Sequence, residues 1–238
     1  MNERVVHRMM LGYSVLVTTI LAGLYVSQIA SGASKIAYDE IDVRRINMHE
    51  SDGTVRMIIS GADTSPGIIV KGRELPHPNR RSAGIIFYND EGTENGGLIF
   101  GGTNKGGQVE NYGHLSFDQY EQDQVVVLEQ DEENGGRKAG LSFFDRPDAA
   151  LPWDLVPKEN TPEGHAAFEK LAKAGGFGQS RLFIGKTDGH TSTVSLRDEK
   201  GRPRLVITVT ADGKASIDFL DESGKTVRTL TPGREPAG

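Results

Sequence analysis

The chain of 238 residues contains no cysteine. Disulfides, thiolate catalysis and cysteine-ligated zinc are thereby excluded, as is a bacterial lipoprotein anchor, which is built on that residue. Positive charge is also in short supply. Lys and Arg number 27 against 33 Asp and Glu, a net charge of −6, and no basic stripe gathers them. A general nucleic-acid binder needs a surplus of Lys and Arg to neutralise phosphate, so the charge argues against that class too, and no nucleic-acid partner is expected. Catalytic signatures are missing in the same way. The "GKT" segments at 185–187 and 224–226 have Ser180 and Phe219 where a phosphate loop needs its first glycine. His49-Glu50 lacks the second histidine of a zincin, and no G-x-S-x-G elbow occurs. The six histidines at 7, 49, 77, 114, 165 and 190 show no ligand spacing.

What is present begins at the N-terminus. No charged residue interrupts the run from Met9 to Ser34. A hydrocarbon core of about 30 Å needs roughly 20 apolar residues as helix, so residues 9–33 are expected to enter a membrane. A signal peptide is one reading, with "SGA" at 31–33 as its cleavage site. The run is longer than a usual signal core, extended by Tyr25, Val26 and Ile29, which favours an uncleaved single-pass anchor. Arg4, His7 and Arg8 precede it, whereas Asp39, Glu40 and Asp42 follow. Positive charge stays inside, so the N-terminus is expected in the cytoplasm and the rest of the chain outside it, at the cell envelope. Without residues 1–33, which hold Glu3, Arg4 and Arg8, 25 basic and 32 acidic residues remain, a net of −7. Anionic lipid would repel such a domain.

The remainder reads as all-β, an antiparallel meander of hairpins in a sandwich or barrel-like arrangement. Asp-Gly occurs at 52–53, 188–189 and 212–213, and D-x-x-G at 198–201 and 221–224. In such turns Asp accepts a backbone hydrogen bond and Gly supplies positive φ. Glycines at 189, 201, 213 and 224 recur every 11 or 12 residues, the spacing of a meander. Val194 and Leu196, then Leu205, Ile207 and Val209, then Ile217 and Phe219 alternate with polar residues, as half-buried strands do. Val55, Met57 and Ile59 form a similar face. Prolines at 147, 152, 157 and 162 interrupt the pattern, and Thr161-Pro162 begins a short helix that Gly175-Gly176 ends, with Ala167, Leu171 and Ala174 on one side. The expected organisation is an anchor over 1–34, hairpins over 35–145, a Pro-rich linker with a short helix over 146–180, and hairpins over 181–238. The two hairpin regions are expected to pack as one domain, because about 50 residues of hairpins form a thin core alone.

Polar groups concentrate in "NDEGTEN" at 89–95, in "NYGHLSFDQYEQDQ" at 111–124 and in "HPNRRS" at 77–82, which includes Asn79. The candidate binding residues are Arg80, Asn89, Asp90, Glu91, Glu94, Asn95, His114, Asp118, Tyr120 and Glu121, with His77 nearby. Oxygen-rich loops suit calcium, although the spacing over 89–95 is not that of an EF-hand. No other cofactor is implied. Paired carboxylates such as Asp118 and Glu121 suit glycoside hydrolysis where their separation allows it. Turns also collect Asn, Asp and Gly for backbone reasons alone. Ile85 to Phe87 and Leu98 to Phe100 are apolar on both faces, which predicts strands covered on two sides.

The run "FYNDEGTENGGLIFGG", with "DEIDVRRINMHESDGTVRMIIS" before it and "YGHLSFDQYEQDQ" after it, is similar to a family of uncharacterised bacterial membrane-anchored proteins with β-hairpin repeats. The resemblance implies a bacterial source and carries no activity, cofactor or catalytic residue. The functional expectation is a single-pass, envelope-facing binding or interaction module with a protein partner. A glycan hydrolase using Asp118, Glu121 or Glu94 is the alternative, and a structural subunit of a membrane complex a third. Oligomeric state is not legible.

Overall fold

The computed structural model describes residues 2–30, 36–75, 77, 80–152, 162–173 and 176–233. Two compact units divide it, Met1–Asp42 and Val43–Gly238. The first holds helix α1, Glu3–Ala30. Its portion Glu3–Tyr25 is long and apolar enough to cross a membrane. At 1.5 Å per residue those 23 residues span about 35 Å. A membrane span and a signal sequence share these properties, and the "SGA" at 31–33 lies outside the described residues.

The second unit is mostly strand: β1 (Arg45–His49), β2 (Val55–Ser60), β3 (Ile68–Val70), β4 (Arg73–Leu75), β5 (Ala83–Tyr88), β6 (Glu94–Lys105), β7 (Gln108–Asp118), β8 (Gln124–Glu133), β9 (Gly136–Asp145), β10 (Gln179–Lys186), β11 (Ser192–Arg197), β12 (Pro203–Val209), β13 (Ala215–Leu220) and β14 (Thr226–Leu230). Twelve of them form one antiparallel sheet in the order β1-β2-β5-β6-β7-β8-β9-β10-β11-β12-β13-β14. The meander is therefore laid out as a single sheet. β3 and β4 make a separate hairpin between β2 and β5. Helix α2, Pro162–Lys173, interrupts the chain between β9 and β10, yet those two strands pair directly. Pro162 opens α2, where its missing N–H costs nothing. Thr161, Ala174 and Gly175, and the side chains of Ala167 and Leu171, lie outside the described residues.

Seven turns share one geometry. At 50–54, 89–93, 119–123, 187–191, 198–202, 210–214 and 221–225, the first residue's N–H bonds the fifth residue's carbonyl and the fourth N–H bonds the first carbonyl. The fourth position is left-handed at Gly53, Gly92, Gly201, Gly213 and Gly224. At 187–191 the expectation for Gly189 fails: His190 takes the positive φ of 56°. Pairing of Lys186 with Ser192 fixes the turn frame, and that frame puts Gly189 one position early. Gly106-Gly107 and Asn134-Gly135 close two tighter hairpins with positive φ at both residues. A second device recurs where the register shifts. Arg56, Arg181 and Arg204 are the extra residues at three bulges. Each donates its Nε to the carbonyl ending a nearby strand, at Tyr88 (3.2 Å), Arg197 (3.2 Å) and Leu220 (3.1 Å).

The register sorts side chains into two unlike faces. On one, Ile58, Ile86, Gly97, Ser116, Val127, Ser142 and Ser195 lie in a single row and are buried. The β3–β4 hairpin covers part of this side, packing Ile69 with Ile58, Ile86 and Tyr88. On the other face a row of aliphatic residues runs through all twelve strands, from Ile46, Ile59, Ile85 and Leu98 to Ile207, Ile217 and Leu230. None of its side chains is buried. Two expectations are corrected here. Ile85 and Phe87 belong to this second face, so among the described residues β5 is covered on one side only. Val55 does not join Met57 and Ile59: the extra Arg56 turns it to the covered side, against the core.

Gly96 shows how tightly the ladder is drawn. It sits between Phe87 and Phe117 in the register, and their rings stack 6.5 Å apart. Its φ is +123°, and a Cβ there would lie 2.3 Å from the Ser116 carbonyl oxygen. Gly96→Ala is expected to cost about 3 kcal/mol or more, combining positive-φ strain with a backbone clash. Gly113→Ala meets no atom within 4 Å. It should change stability by less than about 1 kcal/mol, both read by urea unfolding.

Candidate functional site

Antiparallel alternation sends successive turns to opposite ends of the sheet, so the turns at 89–93 and 119–123 share one end. The tip of β3–β4 reaches the same end: Gly72 N–H bonds the Gly92 carbonyl, and Lys71 N–H bonds Thr93 Oγ1 at 2.9 Å. Most of the predicted residues are brought together there. His114 is the exception, paired with Ile99 and Glu129 in the middle of β7.

Each acid at the turn tips has an internal partner. Asn89 Oδ1 accepts from Glu91 N–H and Thr93 N–H, both at 3.0 Å, and so shapes its own turn. Asp90 pairs with Arg56 at 2.5 Å. Glu91 accepts from the Tyr120 hydroxyl at 2.8 Å, and that bond raises the Tyr120 pKa. Glu121 pairs with Lys71, whose pKa rises in consequence. Glu121 and Lys71 both hold positive φ, 51° and 49°, and the Glu121 carbonyl accepts from Leu151 N–H. Asn95 is the extra residue where the β5–β6 register shifts.

Beneath these tips lies a buried polar cluster. Arg80 grips Glu94 with two bonds, 2.8 and 2.6 Å, and also donates to the Gly67 carbonyl at 3.1 Å. Their side chains are only 18% and 12% exposed. Asp118 faces the pair electrostatically. Burial pushes its carboxyl up to about 7, with the charges of Glu94 and Asp123 adding to the effect. Its Oδ1 has no hydrogen-bond partner, and neither does the buried Tyr88 hydroxyl. Burial likewise holds His77 and His114 below the ordinary histidine range.

A cavity of about 500 Å³ opens beside the cluster, lined by Ala62, Asp63, Ser65, His77, Arg80 and Arg81. Among the described residues, no three His, Asp or Glu side chains gather where a metal ion could be held. Of the acids over 89–95, Asp90 and Glu94 pair with Arg56 and Arg80, and Glu91 accepts from the Tyr120 hydroxyl. Asn79 lies outside the described residues. Sequence reasoning missed Arg56, Lys71 and Tyr88. Arg56 and Lys71 come from β2 and the β3–β4 tip, and the "VKGRE" turn at 70–74 was the one available signal. No family model matches the chain, and no curated protein matches its sequence.

The Arg80–Glu94 pair and Asp118 can be tested by stability. Arg80→Ala strands a buried carboxylate and should cost about 3–5 kcal/mol, whereas replacing both residues by Met should come close to neutral. Denaturant unfolding of the single and double variants separates the two cases. For Asp118, the folded pKa near 7 lies above the unfolded value of about 3.9. Its contribution is therefore complete below about pH 4 and is lost as pH rises through 7. Asp118→Asn should melt with the wild type at pH 4 and above it at pH 8, by on the order of 2–4 kcal/mol. A difference that does not vary with pH contradicts the assignment.

Proposed function

We propose that the chain is a single-pass, membrane-anchored interaction module whose β domain is extracytoplasmic and acts by surface recognition, without bond chemistry. The observation that carries this reading is a contrast of surfaces. The carboxylates at the turn tips are engaged by Arg56, Lys71 and Tyr120, and Glu94 by Arg80, while one face of a twelve-stranded sheet is apolar and has no cover among the described residues. Apolar patches of that extent mark interaction surfaces. The distribution of charge about α1, with Arg4 and Arg8 before it and Asp39, Glu40 and Asp42 after, supports the orientation.

Asp118 favours a second reading. A carboxyl raised to about 7 by burial, with a second carboxylate, Glu94, acting on it electrostatically, resembles the paired acids of a glycosidase, where environment separates an acid from a base. The two readings part on one experiment. The full chain, in detergent, is assayed for hydrolysis of envelope glycans alongside Asp118→Asn and Glu94→Gln. Recognition predicts no turnover in any of the three. A glycan hydrolysis that falls at least about 100-fold in Asp118→Asn, with folding kept, establishes the enzyme instead.

A further inference from the structure

We propose that the uncovered face of the sheet is buried against the same face of a second copy of this chain, forming a two-layer β-sandwich between subunits. The inference rests on the interaction-module reading and names its partner.

Size is the first argument. Twelve strands about 4.8 Å apart span roughly 50 Å, and two side-chain rows on one face occupy about 13 Å along the strands, so the apolar area is about 700 Å². The largest apolar patch on a typical monomer is about 300–600 Å². A stable interface takes about 600–1,000 Å² from each partner, a range that holds this patch. The side chains are far from covered: Leu128 at the centre is 53% exposed and Phe117 50%.

Chemistry is the second. The central row is aliphatic at all twelve positions. The row beside it carries Phe87, Phe117, Phe143 and Phe219, and its single charge, Arg228, stands at the β14 edge. A partner must therefore be free of charge along the whole length. Lipid fits poorly, because the net charge of −7 outside the anchor is repelled by anionic headgroups. The face itself meets the requirement. Two twisted sheets pack face to face about 10 Å apart, and a two-fold axis makes one patch complementary to itself. A shared membrane would also raise the local concentration of the copies.

The two-fold lies in the plane between the sheets and passes through the centre of the face whatever its direction. By strand order that centre falls between β8 and β9, at Leu128 and Leu141. The chain has no cysteine, so an introduced one reports a single place. In full-length protein in detergent, Leu128→Cys should oxidise to a covalent dimer. Asp131→Cys, on the opposite face of the same strand, should not. Light scattering should give a dimer for the wild type, and Leu128→Glu should weaken it about 100-fold or more while circular dichroism keeps its strand signal.

A dimer that survives Leu128→Glu is held elsewhere and overturns the proposal. So does cross-linking of the Asp131→Cys variant where Leu128→Cys gives none, or a stoichiometry other than two. A wild-type monomer also overturns it. If that monomer holds a different protein through Leu128, the interaction reading stands. If it instead buries a dye at residue 128 in phosphatidylcholine vesicles, the face meets lipid. If Leu128→Glu alters no association at all, the interaction reading falls too.

Discussion

Everything in the β unit depends on one antiparallel register carried across twelve strands. Side chains alternate with period 2, so a slip of one residue would transfer a whole strand's apolar set to the wrong face. The register holds through turns of one geometry and through bulges at Arg56, Arg181 and Arg204, which absorb an extra residue and donate to a strand-end carbonyl. It also holds across the excursion from 146 to 178, where Phe143 pairs with Leu182 and Leu141 with Ile184. The aliphatic row passes that junction without a break.

A sheet built this way has two faces with different needs. The β3–β4 hairpin meets the first, burying Ile69 against Ile58, Ile86 and Tyr88, and Pro147 to Leu151 are bonded to the turn at 119–123 through Gln119, Gln122 and the Glu121 carbonyl. Polar groups trapped under this cover explain the electrostatics of the turn end. Arg80 meets Glu94 in two bonds, whereas Asp118 Oδ1 has no hydrogen-bond partner and burial raises its carboxyl to about 7. The second face has no cover from its own chain among the described residues. Its exposed Leu, Ile and Phe side chains leave apolar area in water that association would remove.

Much of the architecture was legible in the residues. Alternation in 194–219 placed Val194, Leu196, Leu205, Ile207, Ile217 and Phe219 on one face, where the register has them. The turns at 198–202, 210–214 and 221–225 followed from Asp and Gly. What failed did so for nonlocal reasons. Gly189 was assigned a left-handed role that belongs to His190, because the frame of a turn is set by the ladder beneath it. The apolar run at 85–87 implied cover on two sides, and one of those sides has no cover among the described residues. At the turn end, composition located the acids. Their partners were invisible, since Arg56 reaches Asp90 and Lys71 reaches Glu121 only once the sheet has brought distant segments together.

The central claim is that β1, β2 and β5 to β14 form one uninterrupted ladder despite the long excursion before β10. Amide hydrogen exchange of the full chain, followed by mass spectrometry of peptides, tests it most directly. A single sheet predicts that amides of β9 and β10 are protected together, with protection falling toward the edges at β1 and β14. Rapid exchange along both β9 and β10, with protected groups on either side opening independently, would contradict it.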